Sequence, residues 1–179
     1  MSAWTKITHQ VLGGNTSNLS FTSIPQGYTD LVVVISGRTN LGVYRDDMGM
    51  YFNSNSSSYS YRGMRRFEGG AINPLSGNGI SFGAIFSVSG ASATSNSFSN
   101  TKFIITGYSG GTAKPYTFES VMGNNSSNSD IYTGTGFWNN PAAITSISFS
   151  SLNGAQWVAN TTATLYGITS GSSGGVTVS

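Results

Sequence analysis

Single hydrophobic residues alternate with small polar ones along most of this chain. From residue 80 to 88, Ile80, Phe82, Ala84, Phe86 and Val88 fall on one side, with mostly small residues opposite. Ile147 and Phe149 alternate with Ser146, Ser148 and Ser150, and the stretches 102–108, 114–121, 130–138 and 162–168 read the same way. A period of two is the signature of a half-buried strand, and no stretch holds the 3.6-residue period of an amphipathic helix. Runs of this kind, bounded by Gly, Asn and Ser clusters, predict strands near 3–12, 18–23, 30–38, 48–53, 58–67, 80–88, 101–109, 115–122, 130–138, 144–150 and 156–168. So many strands overfill one flat sheet. The pattern predicts an all-β chain folded as a two-sheet, jelly-roll-like β-sandwich.

One segment breaks the alternation. Leu31 to Ile35 are all apolar, so this strand is expected to be covered on both faces, by its own loops or by a partner. The stretches after Asn53, from Glu68 to Gly79 and from Gly123 to Ser129 are rich in Gly, Ser and Asn and read as long loops. Residues 1–168 form a single domain in this reading. Residues 169–179 form a Gly/Ser-rich tail, expected to act as an assembly arm through Val176 and Val178, for instance by adding a strand to another sheet edge.

Composition sharpens the picture. About half of the 179 residues are Gly, Ser, Thr or Asn, and only 8% are charged, against roughly 25% in an ordinary soluble domain. The net charge of +2 is too small to steer the chain onto nucleic acid. No apolar run approaches the length of a membrane-spanning helix, and residues 1–12 lack the pattern of a signal peptide. With no cysteine and a single histidine, His9, neither a zinc site nor a Ser-His-Asp arrangement is expected. The sequence therefore predicts no catalytic residues, no cofactor and no bound metal, and the chain is not read as an enzyme.

Two groups could still touch a partner. Arg62, Arg65 and Arg66 lie close together, interleaved with Tyr61 and Phe67, with Arg45 upstream. The plainer reading pairs them with Asp46, Asp47 and Glu68, and the functional one sets them against an acidic protein surface. Trp138, beside Phe137 at the edge of an Asn-rich turn, is a candidate for stacking on a sugar ring or packing at a subunit interface.

A spaced set of motifs adds a resemblance. Trp4–Ile7 (WTKI), residues 21–31 (FTSIPQGYTDL), Arg38, Phe52–Asn53, a Tyr-x-Tyr-Arg ending at Arg62 and residues 165–168 (LYGI) resemble a family of tailed-bacteriophage virion proteins. The resemblance spans residues 4 to 168. It implies a β-sandwich or jelly-roll module with no catalytic residues, in which Arg38 anchors the end of the buried strand. It further implies a place either on capsids as a decoration (cement) protein or on tails as a fibre or receptor-binding module. With no coiled-coil heptads or collagen-like period for a fibre shaft, the chain is read as a capsid decoration protein, a homotrimer made in the host cytoplasm and bound to the major capsid protein on the virion's outer surface. The alternative is a tail-fibre module that binds host glycans through aromatics such as Trp138 and Tyr132.

Overall fold

The computed structural model describes residues 4–67, 70–123 and 129–169. They contain twelve strands and no helix: β1 (Trp4–Val11), β2 (Leu19–Phe21), β3 (Asp30–Gly37), β4 (Arg45–Phe52), β5 (Tyr59–Phe67), β6 (Ile72–Ile80), β7 (Ile85–Ser89), β8 (Ser99–Thr106), β9 (Lys114–Gly123), β10 (Ser129–Trp138), β11 (Ile147–Ser151) and β12 (Thr162–Ile168). They build one sheet of eight strands, ordered β1-β12-β3-β8-β9-β10-β5-β6, and one of four, ordered β2-β11-β4-β7. All the strand pairs are antiparallel.

The strand order identifies the sandwich as a jelly roll. In sequence, β1, β3, β8 and β12 lie in the large sheet while β2, β4, β7 and β11 lie in the small one. The chain pairs β1 with β12 and β3 with β8 in one sheet, and β2 with β11 and β4 with β7 in the other. This is an antiparallel ribbon wrapped over two sheets. Two hairpin-like additions, β5–β6 after β4 and β9–β10 after β8, join as β9-β10-β5-β6 and extend the large sheet beyond β8.

Alternation places the core between the sheets. Phe103 of the large sheet meets Phe149 and Phe86 of the small one, each at a ring-centroid distance of 5.3 Å. A second aromatic group joins Phe52 of the small sheet to Tyr59, Tyr116 and Trp138 of the large one. The apolar segment in β3 is central, between β12 and β8, and Leu31, Val33 and Ile35 point into this core. Val32 faces the other way and is still fully buried, flanked in register by Tyr166 and Ile104. Its second face is partly covered by the chain itself, with Asp30, Val34 and Ser36 half-buried.

Residues 72–79, expected in a loop, belong to edge strand β6, which ends at Ile80. Pro74 and the left-handed Gly79 (φ 64°) mask the strand signal, but an edge strand tolerates both because only one of its sides must pair. At the other end of the chain, only 162–168 is a strand. Trp157 instead makes isolated bridges to Thr16 and Thr39, with its indole N–H donating to the Phe149 carbonyl at 3.0 Å. The candidates Val176 and Val178, and Glu68, lie outside the described residues.

Candidate functional site

Cross-strand register arranges the outer face of the extension in rungs. Val121, Ile131, Arg66 and Ile72 form one row across β9, β10, β5 and β6. Next come Lys102, Glu119, Thr133, Met64 and Pro74. A third row holds Ile104, Thr117, Thr135, Arg62 and Ser76, and a fourth holds Pro115, Phe137, Ser60 and Asn78. Eight large hydrophobic residues are exposed among the described residues, and Met64, Ile72, Val121, Ile131 and Phe137 all lie on this face. Ile72 is 65% exposed and Val121 50%. Such grouping marks an interaction surface more strongly than scattered exposed hydrophobics do.

The inner face explains why the extension holds its shape. β10 carries Gly134 and Gly136 at inward positions, where an added Cβ would meet Phe118 at 2.6 Å and the Tyr116 hydroxyl at 2.5 Å. The two rings of β9 thus occupy the space that side chains on β10 would need. The Tyr116 hydroxyl donates to the Gly83 carbonyl, and Tyr59 receives the Phe52 backbone N–H at 2.7 Å. Burial pushes the phenols of Tyr59, Tyr116 and Tyr132 well above their ordinary pKa.

The three clustered arginines divide between the faces. Arg62 and Arg66 are exposed on the outer face. Arg62 is braced by donating to the carbonyls of Tyr61 and Gly77 at 2.8 and 3.0 Å, and Arg66 donates to that of Gly70 at 3.2 Å. Arg65 turns inward, 4.5 Å from the centroid of the Phe67 ring. Their expected pairing with Asp46 and Asp47 does not occur: Asp46 accepts from Ser151 and Asn153, and Asp47 accepts from the Tyr132 hydroxyl. It is Arg45 that forms an ion pair, reaching Asp130 at 3.2 Å and lying 3.9 Å above Phe67. This contact ties the small sheet to β10.

Trp138 points into the core and not toward the surface. It is 1% exposed and stacks on Tyr59 at 6.1 Å with a 19° interplanar angle. Its neighbour Phe137, one step along the strand, takes the outer position and is 43% exposed. Tyr132 is likewise buried. The pair Phe-Trp gives no local clue to which ring points out; the register of β10 against β5 and β9 decides it.

Sequence reading missed Met64, Ile72, Val121 and Ile131. Each is a single hydrophobe that local patterning assigns to a core as readily as to a surface, and only their shared sheet face sets them apart. No group of three or more His, Asp or Glu side chains able to hold a metal ion occurs among the described residues. Phe137, Arg62, Asn78 and Thr135 do line one shallow groove on the face, and Met64, Lys102, Ile104 and Glu119 line another. The arrangement offers surface for contact, with apolar patches beside positive charge. Compared with family models, curated proteins and solved structures, the chain matches none.

Proposed function

We propose that the protein is an adhesive virion module of a tailed bacteriophage, a capsid decoration (cement) protein that binds the head's outer surface and stabilises the shell. The observation that carries this reading is the gathering of five exposed large hydrophobic residues on one face of the extended sheet. Water disfavours leaving such a patch open, and a partner surface would cover it. The motif resemblance supplies the setting, with the major capsid protein as partner and a homotrimer suited to lattice three-fold positions. A protein that binds only the assembled lattice stabilises it by mass action, multiplied over many copies.

A second reading has one observation in its favour. The half-exposed Phe137 beside Arg62 and Asn78 could serve a tail-fibre module that contacts host glycans. Adding purified protein to particles that lack it, followed by electron cryo-microscopy, separates the two. Density over the head, with a higher temperature of head disruption, is the expected result. Density at the tail tip alone would remove the decoration reading.

A further inference from the structure

We infer that the outer face of β9, β10, β5 and β6 is the docking face, and that its occupant is an acidic protein surface, apolar at its centre with carboxylates opposite Arg62 and Arg66. This deepens the decoration reading and rests on it. The argument for the occupant comes from charge. Lys102 and Glu119 neutralise each other in an ion pair on the face. Among the described residues Arg62 and Arg66 make no ion pair, so the face presents two positive charges beside apolar side chains. Their donors to backbone carbonyls hold them in place, so less side-chain entropy is lost when a carboxylate docks.

Among the described residues, a second copy of the chain has its carboxylates already engaged. Asp30 accepts the Gly107 N–H, Asp46 holds Ser151 and Asn153, Asp47 accepts from Tyr132, Asp130 pairs with Arg45 and Glu119 with Lys102. In a two-fold contact of this face with itself, both faces would carry the same net positive charge from Arg62 and Arg66, which like-charge repulsion disfavours. The size suits a protein partner. Four strands of nine or ten residues, spaced about 4.8 Å apart, cover on the order of 600 Å² in projection. Protruding side chains raise the accessible area above that figure, toward the roughly 800 Å² that each partner buries in a standard interface.

The test uses the full chain and phage particles lacking it. Arg62→Glu/Arg66→Glu and Ile131→Asp alter only exposed side chains, and matching circular dichroism and melting curves establish that both variants fold. Lys6→Glu, an exposed change on β1, controls for net charge. Co-sedimentation is expected to show binding by wild type and Lys6→Glu, with a loss of about tenfold or more in each face variant. Gold labelling then locates the bound protein. Binding to tails alone, lost in the face variants, overturns the head assignment and keeps the face. Equal binding by all variants overturns the face and keeps the reading. Absence of binding anywhere on the particle overturns both. Variant-sensitive dimerisation in sedimentation velocity, or variant-sensitive binding to phosphatidylglycerol vesicles without particle binding, overturns the acidic-protein occupant.

Discussion

Adjacent residues on β10 have opposite fates. Trp138 lies in the aromatic group with Tyr59 and Phe52, while Phe137 faces outward. Trp138→Ala should cost about 3–5 kcal/mol, the range for deleting a buried aromatic. Phe137→Ala, at a half-exposed position, should cost only about 1 kcal/mol, and urea denaturation of the two variants would expose the contrast. Arg38 is a second residue-scale feature. Its guanidinium donates to the carbonyls of Ala91, Ala93, Thr94 and Ser97, stapling the loop between β7 and β8 to the end of β3. Arg38→Ala should cost roughly 2–3 kcal/mol and speed amide exchange across residues 91–97. Lysine should not rescue it, because one ammonium cannot span those acceptors. The motif resemblance implied an anchoring role for Arg38; its acceptors became visible only when the loop folded back.

Strand-scale behaviour turns on the glycines of β10. A residue larger than glycine at 136 must displace the Tyr116 ring, because its Cβ would fall 2.5 Å from the Tyr116 hydroxyl and would also press on the Ser60 carbonyl at 2.6 Å. Gly136→Ala should therefore destabilise by about 1–3 kcal/mol through overpacking. Combining it with Tyr116→Phe should recover part of the loss, and a double-mutant cycle measures how much. β6 shows the limit of local reading. Its Gly, Pro and Asn content resembles a loop, yet ladder bonds to β5 from Arg66–Ile72 to Tyr59–Ile80 hold it as a strand.

At the scale of the whole molecule, three phenols sealed between sheets set the alkaline limit. Burial raises the pKa of Tyr59, Tyr116 and Tyr132 in the folded protein, whereas the unfolded chain ionises them near the ordinary value of about 10. Below that pH both states hold the protons, and the tyrosines contribute their full share of stability. Above it the unfolded state loses protons first, so stability falls as pH rises toward the folded values. Tyrosinate absorbance should show Tyr59, Tyr116 and Tyr132 ionising only alongside unfolding. A smooth titration of all tyrosines at one pH would show that the core does not exclude water there.

The alternation of side chains by itself determined an all-β sandwich, because a period of two can bury only one face of a strand and two such faces need each other. The break in that alternation at Leu31–Ile35 also marked β3 as the strand whose second face is covered at Val32. Which surface is exposed, by contrast, was decided by pairing between distant segments. The register of β5, β6, β9 and β10 collects Met64, Ile72, Val121, Ile131 and Phe137 from residues up to 73 positions apart, turns Arg65 inward and hides Trp138. A one-residue shift in that register would exchange every inward side chain of a strand for an outward one, and nothing in the local pattern fixes it.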